Sequence, residues 1–278
     1  MKDKIKSVLL EEGIDLCVFL PLEKCKITKR YLLDKAEISS GFAVVFAIPY
    51  YTEECDGKRN ISAYAVGRDY HFFVKELASR VLPILKAEYP HVSFAMFADH
   101  SPIDERHAAL IGGLGIMGRN NLLITEKYSS FVFLGELIVG APLAAEQSDE
   151  REPQYCENCG LCQRACPWKV GECEECLSAL TQKKGVLNAD EEKLLRKYSL
   201  WGCDVCTEVC PHTLKAKKNG SIYTPIKFFS ENAIANLTYE TVAQMSEEEF
   251  SKRAFSWRGR DTILRNAEIG DRGNGEKQ

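Results

Sequence analysis

The sequence has no long hydrophobic run and little net charge. The longest apolar run, residues 41–48, has the length of a buried strand and is far too short to span a bilayer. The first twelve residues carry charges on both sides of a short apolar run, without the cleavage site of a signal peptide. The 36 Lys and Arg against 40 Asp and Glu give a net charge of −4, which argues against a generally basic nucleic-acid-binding protein. We therefore expect a cytoplasmic protein that does not associate with membranes.

Cysteine is too sparse for a disulfide scaffold. The chain has 12 Cys in 278 residues, well below the density of small secreted domains held by disulfides. Nine of the 12 nevertheless lie between Cys156 and Cys210. In a reducing compartment, clustered cysteines are more often metal ligands than disulfide partners. The sequence therefore predicts a metal-binding segment.

The first cysteine run has the spacing of a bacterial ferredoxin. Cys156, Cys159, Cys162 and Cys166 form C-x2-C-x2-C-x3-C, and Pro167 follows directly. In this motif, three thiolates bind one 4Fe–4S cluster and the fourth binds a second cluster. Zinc sites instead favour two separated C-x2-C pairs, so the continuous run favours iron–sulfur clusters over zinc.

A second run resembles the first but lacks its first member. Cys203, Cys206 and Cys210 form C-x2-C-x3-C before a proline, and Cys173 or Cys176 can supply the missing ligand. The interleaved ferredoxin pattern then assigns ligands to two clusters. One cluster takes Cys156, Cys159, Cys162 and Cys210, and the other takes Cys166, Cys203, Cys206 and either Cys173 or Cys176. Two adjacent clusters predict electron transfer, and Cys17, Cys25 and Cys55 have no predicted role.

The remaining sequence is organised around this segment. Residues 1–145 alternate amphipathic helical patterns with apolar strands, which is typical of an α/β layer domain. Residues 141–154 are polar, acidic and bracketed by proline, as in a linker. We expect residues 146–220 to form the cluster module, residues 221–278 to form a C-terminal helical segment that packs on the core, and residues 270–278 to fray. The patterns predict helices at 4–12, 69–88 and 103–111, an extended segment at 121–125, and strands at 14–20, 41–48, 92–98 and 131–139.

Two further motifs occur in the wrong context. Gly113, Gly115 and Gly118 spell the dinucleotide fingerprint G-x-G-x-x-G, but a helical pattern precedes them and an extended segment follows. These glycines are more consistent with a turn or with the close approach of a planar ligand. His71 stands in a D-x-H sequence that supplies histidine to cobalt in some corrinoid proteins, but Val74 replaces the glycine of that motif. A packed or capping role is the simpler interpretation of His71.

Several stretches also match one family in order, over roughly residues 40–268. Besides the two cysteine runs, they are 61–71 (ISAYAVGRDYH), 99–106 (DHSPIDER), 113–124 (GLGIMGRNNLLI), 131–137 (FVFLGEL), 176–181 (CLSALT) and 258–266 (RGRDTILRN). Together they resemble the epoxyqueuosine reductase family of cobalamin-dependent iron–sulfur enzymes. Its members reduce the epoxide of epoxyqueuosine, in the wobble position of tRNA, to the alkene of queuosine. Members usually continue into a helical-repeat extension, and we expect this chain to be a short form without it.

The resemblance implies a fold, cofactors and site residues. It implies an α/β (α+β) cobalamin-binding domain with a ferredoxin-like double 4Fe–4S module, and it selects Cys176 over Cys173 as the eighth cluster ligand. Asp99 matches the family's proton donor, and Arg106 could orient that acid or bind a phosphate. From the residues alone, a helix N-cap is the favoured interpretation of Asp99, and the resemblance shifts the preference to catalysis. The implied cobalamin contacts, largely through main-chain groups, are Asn120, Leu123, Leu134, Ser178, Asp204 and Val205.

The implied partners are the tRNA anticodon loop and an electron donor of the flavodoxin or ferredoxin type, and we expect a monomer. Two basic stretches could contact phosphates, although a solvated charged surface explains them equally well. A related corrinoid reductase of the reductive dehalogenase type and a non-catalytic electron-transfer ferredoxin are the alternative functions. The basic residues are Lys215, Lys217, Lys218 and Lys227 in one stretch and Lys252, Arg253, Arg258, Arg260 and Arg265 in the other.

Overall fold

A computed structural model of the chain describes residues 1–168 and 176–275. The chain divides into two compact units. The sheet unit comprises Met1–Pro49 and Tyr70–Asn158, and the helical unit comprises Tyr50–Asp69 and Cys159–Gln278. The predicted division at residues 145 and 220 stays a prediction, because backbone compactness does not define where a functional module ends. Cys173 lies outside the described residues.

The sheet unit is built on a four-stranded antiparallel sheet with the strand order β1-β2-β6-β3. A short antiparallel pair, β4 with β5, forms a separate small sheet. In chain order, the elements are α1 (Lys2–Glu11), β1 (Cys17–Pro21), α2 (Arg30–Lys35), β2 (Phe42–Pro49), α3 (Tyr70–Glu88), β3 (Phe94–Phe97), α4 (Glu105–Ile111), β4 (Ile116–Met117), β5 (Leu123–Ile124) and β6 (Val132–Val139).

Both faces of this sheet are covered, as the apolar sequence of β2 predicts. Every residue of β2 is buried. Alternate residues point to opposite faces, so one set packs with α4 while the other faces α1 and α3. Phe19 and Phe42, with ring centroids 6.1 Å apart, belong to the second face. The mixed α/β architecture predicted from the alternating patterns is therefore confirmed, and each long element lies within a few residues of its predicted position.

Within the described residues, the helical unit has eight α-helices. They are α5 (Leu161–Ala165), α6 (Leu177–Thr181), α7 (Ala189–Tyr198), α8 (Val205–Glu208), α9 (Pro211–Lys218), α10 (Tyr239–Gln244), α11 (Glu247–Ser251) and α12 (Arg260–Gly275). Trp201 is fully buried, and its ring meets the edge of Phe255 at a centroid distance of 6.5 Å. Asn266, also buried, donates hydrogen bonds from its side-chain amide to the carbonyls of Thr181 and Leu200, each at 2.7 Å. The unit therefore has its own core.

Two predictions about irregular segments were wrong. Residues 141–154 do not form a free linker, because Asp149 pairs with Phe19 of β1 through main-chain and side-chain hydrogen bonds. The predicted fraying from residue 270 is wrong up to Gly275, where α12 ends. A Cβ at Gly270 would lie 2.8 Å from a methyl carbon of Leu200, so the glycine allows this helix to pack closely.

None of the described helices combines the length and the apolar character that crossing a membrane requires.

Candidate active site

Asp99 lies on the turn that follows β3, two residues after the strand ends. Its backbone has a φ of +60°, a left-handed conformation that Asp and Asn adopt more readily than other non-glycine residues. Its side chain is 75% exposed. Asp99 is not a helix cap, because Asp104 caps α4 by accepting the His107 N–H at 3.1 Å. The strand-end position predicted for Asp99 is therefore correct, and the N-cap interpretation is wrong.

Two neighbours define the surroundings of Asp99. The Asp99 N–H donates to Oε2 of Glu105 at 3.3 Å, which links the turn to the first residue of α4. Nε2 of His71 lies 3.9 Å from Oδ2 of Asp99. His71 is exposed as the second residue of α3, and its ring lies 4.3 Å from that of Tyr70, centroid to centroid. Its ring is also a charged or polar neighbour of the candidate acid.

Beneath this turn lies a buried acidic side chain that the sequence analysis missed. Glu136 is fully buried in the middle of β6, between Val45 of β2 and Phe97 of β3. Neither carboxylate oxygen accepts a hydrogen bond of normal geometry within the described residues. Burial, followed by the neighbouring Glu105, raises the pKa of Glu136 well above its usual range. The detectable feature in the sequence was one Glu within an otherwise uncharged apolar strand.

Glu105 belongs to the same cluster. It is half-buried, and its pKa is raised by burial and by the charge of Asp99. Contacts with Glu136, the Asp99 N–H and Arg106 act to lower this pKa and offset part of the rise. The buried hydroxyl of Ser101 faces Glu136 and offsets part of the rise in its pKa. Two carboxyl groups thus meet beneath the turn that carries the candidate acid. We call them the carboxyl pair.

Arg106 does not orient Asp99 through an ion pair in the described residues. Its Nη1 donates to the main-chain carbonyl of Asn121 at 3.3 Å, so it joins α4 to the loop between β4 and β5. The glycines nearby serve the protein's own packing. A Cβ at Gly115 would lie 2.5 Å from the carbonyl oxygen of Ile124, and one at Gly118 would lie 2.4 Å from Asn120 Oδ1. Gly118 begins the turn between β4 and β5, where its carbonyl accepts the Asn121 N–H at 2.9 Å, as the turn interpretation predicts.

Three of the predicted cobalamin contacts lie in the sheet unit. Leu123 and Leu134 are buried in the hydrophobic cluster between the sheet and α4. Asn120 is half-buried, and its Oδ1 accepts the Leu122 N–H at 3.4 Å. The side chains of both leucines are therefore used in packing.

The cysteine runs form short helical turns that repeat one local pattern. Cys162 lies in α5, and Cys166 is the residue that ends it. Cys206 lies in α8, and Cys210 precedes Pro211 at the start of α9. In the helical unit, α5 and α8 pack against each other. The repeated C-x3-C-P spacing therefore corresponds to a repeated structure.

The thiols themselves suit iron–sulfur ligation. Within the described ranges, no cysteine forms a disulfide bond. Sγ of Cys176 accepts the Ser178 N–H at 3.3 Å, and N–H donors to sulfur tune iron–sulfur clusters. Burial raises the pKa of Cys203 to about 12, although the Val205 N–H acts against the rise, so a thiolate there needs an adjacent cation such as bound iron. No three His, Cys, Asp or Glu side chains in the described ranges converge on a single metal position.

The other predicted cobalamin contacts lie in the helical unit. Ser178 is the second residue of α6 and is half-buried. Asp204 and Val205 line an open cavity of about 470 Å³. The Asp204 carboxylate accepts three hydrogen bonds, from Arg59 at 2.9 Å, the Ser62 hydroxyl at 2.5 Å and the Ala63 N–H at 2.7 Å. The cavity is therefore open, and the side chain of Asp204 is held at its wall by the protein's own donors.

Much of the second basic stretch serves the helical unit itself. Arg253 is 2% exposed and donates to the Asn232 carbonyl at 2.7 Å, and Arg260 donates to the Val242 carbonyl at 2.7 Å. Arg265 donates to the carbonyl of Gly185. In the first stretch, Lys217 pairs with Glu208. The exposed members of that stretch are Lys215, Lys218 and Lys227.

Comparisons with known proteins match this arrangement. A family model described as epoxyqueuosine reductase QueG, DUF1730, matches residues 39–100. An epoxyqueuosine reductase of Cyclobacterium marinum is 31% identical over 240 residues, which cover 82% of this chain and 76% of the relative. The epoxyqueuosine reductase structure from Streptococcus thermophilus superposes with a TM-score of 0.74 at 21% identity, covering 99% of this chain and 81% of that one.

A second solved structure, of an epoxyqueuosine reductase with a tRNA-Tyr epoxyqueuosine-modified stem loop, gives a TM-score of 0.70 at 22% identity. It covers 97% of this chain and 80% of that chain. Fold and relatives together define an oxidoreductase of mixed α/β architecture. The chain belongs to the epoxyqueuosine reductase family.

Proposed function

We propose that the protein reduces the epoxide of epoxyqueuosine in tRNA to the alkene of queuosine. Membership of the family supports this reaction. The structural observation that carries the proposal is the exposed carboxyl group of Asp99, at a strand end and on a backbone held by Glu105. A pure electron carrier has no need of an acid in such a position.

The reaction requires both electrons and protons. Conversion of an epoxide to an alkene consumes two electrons and two protons and releases the oxygen as water. When bound, the two 4Fe–4S clusters would supply electrons one at a time, and cobalamin would supply a strongly reducing centre. The chain itself must bind the substrate and protonate the departing oxygen.

In this proposal Asp99 donates that proton. A positioned acid lowers the barrier to C–O cleavage by neutralising the alkoxide as it forms. The side chain is exposed, so it can reach a substrate and afterwards regain a proton from solvent. His71, 3.9 Å away, is close enough to influence the orientation of the carboxyl group.

Replacing Asp99 by Asn tests this role without disturbing the turn. Asn tolerates the left-handed backbone as well as Asp does, whereas Ala would add strain. We expect Asp99→Asn to lower kcat on an epoxyqueuosine-bearing stem loop by roughly 100-fold or more. The ultraviolet–visible spectrum of the reconstituted clusters should not change. The matched control is Asp34→Asn, an exposed residue of α2 that should retain wild-type turnover; equal turnover in both variants would remove Asp99 from the mechanism.

The predicted cluster ligands are retained as a proposal. One cluster takes Cys156, Cys159, Cys162 and Cys210, and the other takes Cys166, Cys176, Cys203 and Cys206. The N–H donor to Cys176 and the matching turns of α5 and α8 support this assignment.

The choice between Cys176 and Cys173 can be tested by paired substitution. We expect Cys176→Ser to lose about half of the protein-bound iron and sulfide after anaerobic reconstitution, because one cluster lacks a thiolate. Cys173→Ser should retain the full content. Iron and sulfide analysis, with electron paramagnetic resonance of the reduced protein, measures both; the reverse result would make Cys173 the ligand.

The substrate and electron donor complete the proposal. A relative's structure with an epoxyqueuosine-modified stem loop supports tRNA as the substrate. The exposed lysines 215, 218 and 227 are available to phosphates. The proposal also includes an electron donor of the flavodoxin or ferredoxin type, a monomeric state and a cytoplasmic location. It retains the predicted cobalamin contacts through main-chain groups, which are those of Asn120, Leu123, Leu134, Ser178, Asp204 and Val205.

A further inference from the structure

We propose that Glu105 and Glu136 hold one proton between them and, in that state, position the main chain of Asp99. Neither residue would act on the substrate directly. They are positioning residues, and their effect on turnover rests on the proposed function. Their shared proton does not, because it depends only on the geometry of the sheet unit.

The first support is the complete burial of Glu136. Glu136 lies in a strand that is paired on both sides, with Val45 of β2 and Phe97 of β3 opposite it, and its relative exposure is 0%. A carboxylate at such a position normally has a cation or several N–H donors. Within the described residues, no donor forms a regular hydrogen bond to either oxygen of Glu136.

The second support is the chemistry of its neighbour. Glu105 approaches Glu136 from α4, and two ionised carboxylates can only accept hydrogen bonds. A single proton between them converts this repulsive contact into a strong O–H···O⁻ hydrogen bond. The other groups that face the pair are the charges of Asp99 and Arg106 and the hydroxyl of Ser101. Of these, only Arg106 is a cation, and it is exposed.

The third support is the connection to the candidate acid. Oε2 of Glu105 accepts the N–H of Asp99, whose left-handed backbone carries a small conformational cost. That hydrogen bond stabilises the turn only while Glu105 stays beside β6. A second negative charge in the buried pair would push the two side chains apart. The shared proton therefore holds the turn that presents Asp99.

Three substitutions distinguish the charge of the carboxyl pair from its role in holding the Asp99 main chain. Glu136→Gln keeps the shape of the side chain and supplies an N–H₂ donor to Glu105, so no shared proton is needed. Glu105→Gln keeps a carbonyl oxygen for the Asp99 N–H. Glu105→Ala removes that acceptor. The control is Glu146→Gln, an exposed residue of the sheet unit.

The first experiment detects the proton directly in the reconstituted protein. In infrared spectra at about pH 7, we expect the carbonyl stretch of a buried protonated carboxyl, shifted by D₂O, in the wild type and in Glu146→Gln. It should be absent from Glu136→Gln. Absence of this band from the wild type would overturn the inference, whatever the enzymatic activity.

The second experiment measures thermal stability as a function of pH. The folded state retains a proton that unfolded Glu136 would release, so the stability of the wild type declines as the pH rises above the ordinary Glu value. The difference in Tm, Glu136→Gln minus wild type, should therefore increase by roughly 3–6 °C as the pH is raised from about 5 to about 8. An unchanged Tm difference across this range would contradict a shared proton.

The third experiment measures turnover of an epoxyqueuosine-bearing stem loop. Glu105→Ala should lower kcat by roughly 10- to 100-fold with little change in KM, because a displaced acid affects the chemical step. Glu105→Gln should restore most of that loss. Equal kcat values in the Ala variant and the wild type would overturn the positioning role. No turnover in the wild type or in any variant, with the infrared band present in the wild type, would reject the proposed function and leave the shared proton intact.

Discussion

Each unit contains a partly or fully buried acidic cluster, and the two clusters are built in opposite ways. In the helical unit, Arg59 donates to both Asp204 and Glu208, and Lys217 pairs with Glu208 at 2.5 Å. In the sheet unit, neither carboxylate oxygen of Glu136 has a regular hydrogen bond within the part of the chain that the structure describes. The first cluster consists of compensated charges, whereas the second avoids charge by retaining a proton.

This difference appears in the pKa values. Burial acts to raise the pKa of Glu208, but hydrogen bonds and charges from Arg59 and Lys217 outweigh it, and the pKa is lowered. Burial raises the pKa of Glu136, and the neighbouring Glu105 raises it further. Compensated charges suit a structural role. An uncompensated carboxyl in a sheet core costs stability, so its presence beneath Asp99 points to function.

The largest expected effect on stability comes from removing the cation that compensates the acidic residues of the helical unit. Arg59→Ala leaves Asp204 and Glu208 without their shared cation. We expect the free energy of unfolding to fall by about 3 kcal/mol at neutral pH, as measured by urea denaturation. Arg80→Ala is the control, because Arg80 forms an exposed pair with Glu12 that is worth at most about 1 kcal/mol. Equal losses of unfolding free energy in the two variants would show that the buried ion pairs of Arg59 stabilise the protein no more than the exposed pair of Arg80.

A smaller effect should come from pH acting on Glu208. Because its folded pKa is lowered, its pairing stabilises the protein above the ordinary Glu value and is lost as the pH falls through the folded value. Glu208→Gln should therefore destabilise the protein by about 1 kcal/mol at about pH 7 and by less at about pH 4. Urea denaturation at both pH values provides the measurement. This direction is opposite to that expected for Glu136→Gln, and the same direction in both variants would remove the contrast between the two clusters.

Local patterns explain what could be predicted from the sequence. The long helix α3 and the buried strand β2 follow from apolar periodicity, and the cysteine spacing is a property of neighbouring residues. The position of Asp99 after a strand followed in the same way. The six-residue helix α2 carries too short a pattern, and it was missed.

Contacts over long sequence distances could not be predicted. Arg59 and Asp204 are 145 residues apart, and nothing in either local sequence identifies the other as its partner. The grouping of residues 50–69 with the helical unit is equally non-local. Glu105 and Glu136 come together only because α4 packs on β6. One charged residue in an apolar strand indicated a special site, but it did not identify its neighbour.

The left-handed backbone at Asp99 also restricts how this position can change during evolution. Only Gly, Asn and Asp adopt that conformation at little cost, and only Asp among them carries an acid. A lineage that lost the need for proton donation would therefore drift first to Asn or Gly, each reachable from an Asp codon by one nucleotide change. Inactive descendants of this protein should thus keep the shape of the turn long after losing its chemistry.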